Sequence, residues 1–410
     1  MISVREALDI VLGELPRAGT EQVALTVAHR RVLAHDVQAT RDIPPFRNSA
    51  MDGYAVRAAD VHSARSNAPI ELAILEVIGA GSVPTRDVIP TTATKIMTGS
   101  PVPAGADAVV RVEDTEERDG RVSVRAAVTT GANVREAGED MRAGETVLTA
   151  GRVLRPADVG VLASLGVAVV RVVRRPRVAI LATGDELVDV GEPLKPGQIV
   201  NSNAYALAAA VEEAGGRPIV LEIARDQPEQ IRAAFADAFT ADVVLSTGGV
   251  SVGSFDFVRR TLADLGYHER FWKVAQRPGK PLTFGLRGGT PAFGLPGNPV
   301  SALVCFYLYV RPALQTMMGM NRVHLPTIDA IADSAIKTAA GMTEFVRCVV
   351  ERRDSAHHVR PTGSQSSGVL SSLSAGEGLL ISPPEQTAIA PGDRARVVLL
   401  TAESSAAPPF

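Results

Sequence analysis

The sequence is short of cysteine, of charge of one sign and of long apolar runs, and each shortage removes a class of protein. Two cysteines occur in 410 residues, Cys305 and Cys348, each inside an apolar run. That excludes a disulfide framework and a thiolate metal site, and both thiols are expected to be buried. Rare cysteine, with no charged-then-apolar leader over residues 1–19, points to a reducing compartment, and a cytoplasmic location is expected. Net charge is −3, with both signs mixed along the length. Neither a nucleic-acid footprint nor a polybasic membrane patch is present, so any anion site must be local. The longest uncharged apolar stretch, 159–170, holds two glycines and a serine. It falls short of the roughly 18 residues that a membrane helix needs.

Several signatures are missing as well. Gly279-Lys280 is followed by proline and lacks the earlier glycine of a P-loop, and no GxGxxG follows a strand. Gly249-Val250-Ser251-Val252-Gly253 fits the GxSxG pattern of a hydrolase elbow. More loop intervenes before Phe255, however, and His268, His324, His357 and His358 stand in no triad context, so a hydrolase is set aside. The histidines show no metal-ligand spacing.

What remains is an ordinary globular composition, 46% apolar and 21% charged, long enough for two to four domains. Ser3 with Glu6 forms a capping box ahead of Val4, Ala7, Leu8 and Val11, which predicts an opening amphipathic helix ending near Pro16. From 23 to about 173 the texture is β-rich, with short runs at 71–77, 107–112 and 121–126 and a hairpin turn at Asp119-Gly120. A helix is expected from Pro156 to Gly166, then a strand over 167–173. Over 177–319, apolar strands at 178–182, 219–223, 243–246 and 292–295 alternate with helices at 203–214, 228–239, 255–265 and 300–317. That βαβ rhythm predicts a largely parallel sheet covered on both faces, with ligands at the carboxyl ends of its strands. Beyond Pro326, strands at 327–332, 345–351, 378–382 and 396–400 predict a small β-barrel. The serine-rich stretch 364–374 reads either as a flexible loop or as a lip over a ligand, and the tail 403–410 is expected to be disordered.

The chemistry gathers where the central strands end. One strand runs into Thr183-Gly184-Asp185-Glu186 and another into Thr247-Gly248-Gly249-Val250-Ser251-Val252-Gly253. Glycine turns of this kind let backbone N–H groups approach an anion. Arg277-Pro278-Gly279-Lys280-Pro281 sets two cations on a turn, with Lys273 upstream. Leu295-Pro296-Gly297-Asn298-Pro299 leads directly into a helix N-terminus, with Ser301 in its first turn. These four loops describe a phosphate-rich ligand. Asp185, Glu186, Asp226 and Asp256 share the same edge, and carboxylates facing anions make electrostatic sense with a divalent cation between them. Magnesium, which takes one or two carboxylates and keeps waters, suits that supply.

Taken together, the motifs resemble the molybdopterin molybdenumtransferase (MoeA) family, whose eukaryotic relative is the gephyrin E-domain. The resemblance is carried by Ser49-Ala50-Met51-Asp52-Gly53-Tyr54-Ala55, Ile96-Met97-Thr98-Gly99-Ser100-Pro101-Val102-Pro103, Asn133-Val134-Arg135 with Gly138-Glu139-Asp140, and four others. Those four are TGDEL, TGGVSVG, PGKP and LPGNPVSA, and the whole set runs in the family's order from Asp52 to about Ser367. It implies an α/β multidomain fold of four domains: a linker and dimerisation domain at 1–26 plus 141–174, an inserted β-rich domain at 27–140, a molybdopterin-binding α/β domain at 175–320 and a β-barrel at 324–402.

The resemblance further implies a homodimer in which Asp52 and Thr98, with Arg135 and Asp140 nearby, face the third domain of the partner. The implied reaction inserts molybdate into adenylylated molybdopterin and releases AMP with magnesium present. Backbone amides at Thr247 to Gly249 and Pro296 to Asn298 would hold the phosphate. Lys273, Arg277 and Lys280 would counter charge, and Glu186, Asp226 and Asp256 would place magnesium or order the attacking oxygen. Arg347 and Ser367, from the barrel, match positions that close over the ligand and bind an oxyanion. A transient complex with a molybdopterin adenylyltransferase is also implied. Two positions depart from the family: Arg277 stands where lysine is common, and Gly363-Ser364-Gln365-Ser366-Ser367 stands where relatives carry GHQGS. A molybdopterin adenylyltransferase and a non-catalytic molybdopterin-binding scaffold are the competing readings.

Overall fold

A computed structural model describes residues 1–79, 81–248 and 255–400, the side chains of 255–257 excepted. The expectation for the tail at 403–410 therefore lies outside the described residues. Helix Val4–Gly13 opens the chain with the expected box: Glu6 N–H donates to Ser3 Oγ at 3.2 Å, and Ser3 N–H donates to Glu6 Oε2 at 2.7 Å. Its apolar face does not pack on the β-rich half that follows. Ala7 and Val11 enter the core of the central domain, beside Val178, Leu207, Phe306 and Leu314. Residue spacing predicts which face of a helix is apolar, but not which domain covers it.

The strand Thr20–Ala24 lies antiparallel to Val169–Val173, so the segments before and after residues 27–140 are zipped together. Leu33, Leu148, Leu154, Leu162 and Val172 share one core there. The helix Pro156–Ser164 falls where the sequence predicts it. Between these segments stands a six-stranded sheet in the order Ala108–Arg111, Gly53–Val56, Thr92–Ile96, Ile70–Ile78, Arg121–Val124, Thr115–Arg118. Asp119 and Gly120 close its last hairpin with φ of +48° and +74°, the left-handed pair that a two-residue turn requires.

The central sheet runs Arg217–Val220, Arg177–Ala182, Val243–Thr247, Thr290–Leu295, Thr283–Arg287, Tyr267–Trp272. The first four strands are parallel and the last two antiparallel. Helix Ser202–Glu213 and the long helical run from Pro299 to Met317 cover one face, through Leu207, Phe306 and Leu314. Helices Pro228–Ala238 and Phe255–Asp264 cover the other, through Phe235 and Val258. A π-helical turn, Phe306–Val310, interrupts the long run.

Five strands then close into a barrel, each paired with the next: Thr343–Arg353, Ala356–Pro361, Thr327–Ala332, Arg394–Leu399, Gly378–Ser382 and back to Thr343–Arg353. The barrel is fixed to the central domain in two ways. Val300 and Val304 pack against Phe345, Leu379 and Val398. The short strand Gln276–Arg277 pairs in parallel with Thr343 and Glu344 at the start of the long barrel strand.

One motif residue is explained by backbone proximity alone. A Cβ on Gly53 would lie 1.9 Å from the carbonyl oxygen of Val110, inside any van der Waals limit. Gly53→Ala must push apart two neighbouring strands beside Asp52. We expect it to cost about 3 kcal/mol, the upper range for overpacking. A fall of several degrees in the thermal midpoint would show this by calorimetry; an unchanged transition would mean that the strands part freely.

Candidate active site

Two adjoining clefts open at the carboxyl ends of the central strands. The first, about 600 Å³, is lined by Thr183 and Glu186, Thr247 and Gly248, the 199–203 segment and the Pro296-Gly297-Asn298-Pro299 turn. The second, about 640 Å³, is lined by the 276–281 loop, Ser301, Met342 and Gln365-Ser366-Ser367. Pro281, Pro296 and Asn298 belong to both, so the two form one trough with a waist.

The glycines set the shape of the first cleft. Gly248 has φ +88°, and a Cβ there would lie 2.3 Å from the Thr183 carbonyl oxygen. A Cβ on Gly297 would look across at Gly248 Cα from 3.8 Å, so these two turns face each other with only backbone between them. Two helix N-termini open onto this space. Helix Pro299–Cys305 starts at Asn298, whose side chain does not cap it but donates to Ser367 Oγ at 2.8 Å. Helix Ser202–Glu213 starts at Asn201, and Asn203 Nδ2 donates to the Gly297 carbonyl at 2.8 Å. Thr183 Oγ1 is buried without a hydrogen-bond partner. An orphaned polar atom at a cleft wall, beside amides at helix starts, is suited to an anionic ligand with its own donors.

The acids do not all gather. Glu186 lines the first cleft. Asp185 Oδ1 accepts from the Asp226 N–H at 3.1 Å, and Gly184, at φ +147°, donates its N–H to the Ala224 carbonyl at 3.1 Å. Partial burial, then Asp185 and Glu186, hold the Asp226 carboxyl above its ordinary value. Among the described residues no three acids, histidines or cysteines meet in ligating geometry. The side chain of Asp256, and Gly249, Ser251 and Gly253 of the glycine loop, lie outside the described residues.

The cation loop is held from below. Gln276 is fully buried; its Nε2 donates to the Pro278 carbonyl at 3.0 Å, and its Oε1 accepts from the Tyr309 hydroxyl on the π-helical turn. A Cβ on Gly279 would strike Cys305 Sγ at 2.5 Å. Arg277 and Lys280 therefore stand on an anchored turn and project into the second cleft. Arg277 also reaches Glu344 of the barrel at 3.3 Å. Lys273 is placed differently: its ammonium sits 3.7 Å from the Trp272 ring centroid, and neither cleft counts it in its lining.

The serine-rich stretch is tied down by hydrogen bonds beside the trough and forms a lip there. The Val300 N–H donates to the Ser367 carbonyl at 3.2 Å, laying the loop across the waist of the trough. Arg347, only 1% exposed, secures that loop: Nε donates to Ser372 Oγ at 3.1 Å and Nη2 to the carbonyls of Ser364 and Ser366 at 3.2 and 3.0 Å. Burial, with Arg277 nearby, pulls its pKa down.

The four remaining positions lie in the β-rich half, and two of them are joined. Asp52 Oδ1 accepts from Thr98 N–H at 2.7 Å and from Thr98 Oγ1 at 2.8 Å, which holds its carboxyl below the usual range. Arg135 pairs with Asn48 in a short two-strand ladder. The Asp140 N–H donates to the Ile43 carbonyl at 3.0 Å. Both clefts are lined from residues 183–301 and 342–368, so in the single chain these positions stand apart from them. The sequence reading missed two contributors. Asn201-Ser202-Asn203 was legible as a run of capping residues opening a helix. Arg225, whose Nη1 reaches the carbonyls of Gly184, Asp185 and Leu187 at 3.4, 3.1 and 2.9 Å, gave no signal.

A parallel α/β domain with glycine turns at its strand ends, joined to a barrel and preceded by a zipped β-rich half, is a multidomain fold with a trough suited to an anionic ligand. Comparison makes the family explicit. Three family profiles match in order: the MoeA N-terminal region (domains I and II) at residues 2–166, a probable molybdopterin binding domain at 179–316, and the MoeA C-terminal region (domain IV) at 329–400. Molybdopterin molybdenumtransferase 2 of Mycobacterium tuberculosis is 39% identical over 98% of this chain and 100% of that protein. The molybdopterin molybdenumtransferase of Bacillus subtilis is 36% identical over 100% and 96%. A crystal structure of the molybdopterin biosynthesis MoeA protein from Pyrococcus horikoshii superposes with a TM-score of 0.84 at 33% identity, covering 97% of this chain and 100% of that one. The chain belongs to the MoeA family of molybdopterin molybdenumtransferases.

Asp226 yields a pH prediction whose sign can be fixed. Its folded pKa is raised, so ionising it works against the fold. The penalty is absent below the unfolded value of about 4, builds as pH rises from there towards the folded value, and is complete above it. Without divalent cations, Asp226→Asn is therefore expected to unfold at a slightly higher temperature than the parent at pH 7, and at the same temperature at pH 3. A variant less stable at pH 7 would mean that the carboxylate has a favourable partner.

Proposed function

We propose that this chain inserts molybdenum into adenylylated molybdopterin and releases AMP. The observation that carries the reading is the two-part trough: anion-receiving turns and helix starts on one side of its waist, the anchored Arg277 and Lys280 on the other. A ligand with a pterin phosphate and an adenylate presents separated anionic groups, which such a trough can hold at once. Amides at Gly248 and Gly297 receive one group. Lys280 and Arg277 receive the other, together with molybdate, and Ser367 offers a hydroxyl from the lip. These donors are preorganised, so charge that develops as AMP departs meets fixed dipoles and cations instead of reorganising water.

Glu186 is the acid that lines the first cleft, and it would meet a magnesium ion carried in with the ligand's phosphates. Bound there with the ligand, magnesium would neutralise phosphate charge. The protein's own part is to keep the acids in place, which Arg225 does through three carbonyls.

The Asp52–Thr98 cluster suits a site shared between two copies. Exposed apolar groups flank both halves: Phe46 and Met51 beside Asp52, and Val190, Leu194 and Ile199 along the segment bordering the first cleft. A homodimer would cover both patches and bring Asp52 to the partner's trough. We further propose a cytoplasmic enzyme that meets its adenylylated substrate by transient contact with a molybdopterin adenylyltransferase. No helix among the described residues is long and apolar enough to cross a membrane.

Molybdate-dependent AMP release from adenylylated molybdopterin tests the reading directly. Lys280→Ala is expected to slow it about 100-fold or more, the loss typical of one electrostatic contact. ATP consumption with free molybdopterin, and no AMP release from the adenylylated form, would replace the reading with an adenylyltransferase. The shared site makes a separate prediction: mixed Asp52→Ala and Lys280→Ala proteins should regain part of the activity as subunits exchange. Verified exchange without recovery would place the whole site within one chain.

A further inference from the structure

A third cleft, about 680 Å³, opens at the opposite end of the central sheet, where the strands Arg177–Ala182 and Arg217–Val220 begin. It shares no lining residue with the trough. Its walls come from both sides of the junction between the zipped segments and the central domain. Arg30, Arg31 and Arg175 stand on one side; Arg217, Arg311 and Gln315 stand on the other.

The charges here are not balanced within the chain. Arg31 is committed, pairing with Glu21 at 2.5 Å and donating to the Val173 carbonyl at 2.9 Å. Arg30, Arg175, Arg217 and Arg311 have no ion pair within 4.0 Å among the described residues. Glu212 and Glu213 lie on the rim, too few to neutralise them. Arg311 is half-buried and already donates to the Val323 carbonyl at 2.9 Å; burial presses its pKa down while Glu213 opposes the shift. At the wall lies Gln315, 4% exposed, with Oε1 buried and unpartnered. A buried carbonyl oxygen left without a donor is costly, and a bound group that supplies one removes the cost.

We propose that this junction cleft binds a phosphate-bearing small molecule, its anionic group held by Arg175, Arg217 and Arg311 and a hydrogen-bond donor reaching Gln315. The guanidinium fork matches phosphate oxygens, and several cations are needed to hold a dianion beside two glutamates. The volume lies within the range of about 300–1,000 Å³ usual for small-ligand clefts, and the chain's net charge of −3 does not suit a nucleic acid. Because its arginines come from both sides of the junction, an occupant would brace the first segments against the central domain. The site would then regulate the protein without touching substrate.

Inorganic pyrophosphate and ADP both carry this chemistry, and equilibrium dialysis of the full chain with each separates them. One binding class should persist in Lys280→Ala, which disables the trough. That class should weaken about tenfold or more in the double variant Arg175→Ser with Arg217→Ser, as expected for lost charged hydrogen bonds. Both arginines are exposed at the cleft rim, so the fold is not at stake. Gln315→Leu should weaken ADP alone if the donor belongs to a nucleoside, and both ligands equally if the occupant is the inorganic anion. Absence of a class that survives Lys280→Ala, or indifference of that class to the double arginine variant, would overturn the proposal.

Discussion

Gln276 has no exposed surface, yet its amide carries two bonds that the trough depends on: one to the Pro278 carbonyl and one from the Tyr309 hydroxyl. A buried amide must be satisfied, and here satisfaction is possible only with the 277–280 turn seated on the long helix. The π-helical turn fits this scheme, since it carries Tyr309, and such turns are frequently found where a helix serves a site. Gln276 and Arg277 are also a strand of the barrel's sheet, so one dipeptide sets the spacing between cation loop, helix and barrel. The lip follows from that spacing, because Ser367 can reach both Asn298 and the Val300 amide only with the barrel at this distance.

The central domain was legible because its strands are the easiest kind to read. Val243–Thr247 and Arg177–Ala182 are buried on both faces after Arg177 and carry apolar runs, Val-Val-Leu and Val-Ala-Ile-Leu-Ala, that lead into glycine turns. Tyr267–Trp272 escaped notice because it borders the sheet and reads Tyr-His-Glu-Arg-Phe-Trp, an interrupted pattern that an antiparallel edge tolerates. Ala356–Pro361 was missed in the barrel because its two histidines interrupt the apolar pattern, although the strand is paired on both sides. The second strand of the central sheet lies at Arg217–Val220, two residues before its expected start, because Pro218 and the turn after Gly215-Gly216 are accommodated at a sheet edge.

Site residues divide along a similar line. Thr183, Thr247, Gly248 and the Pro296 to Pro299 turn, which line the first cleft, were singled out by local rules, since strand ends and helix starts announce themselves in sequence. Asp52 and Thr98 are bonded to each other across 46 residues of chain, and only the family's motifs connected them. Arg347 illustrates a third case. The family resemblance implies a ligand contact, but the structure spends its Nε and Nη2 on Ser364, Ser366 and Ser372, so its first task is to hold the lip that carries Ser367.

Arg225 and Asp226 are adjacent in sequence and act on one loop from opposite directions. The aspartate adds negative potential beside Asp185 and Glu186, while the arginine's single Nη1 gathers three carbonyls of the same segment and keeps it folded against that repulsion. A shorter or uncharged side chain at 225 would leave the Asp185 and Leu187 carbonyls without this shared donor. The position is thus chemically narrow although it lines neither cleft of the trough. Variation there would be read as a surface charge exchange while the curvature of the acidic loop was being rewritten.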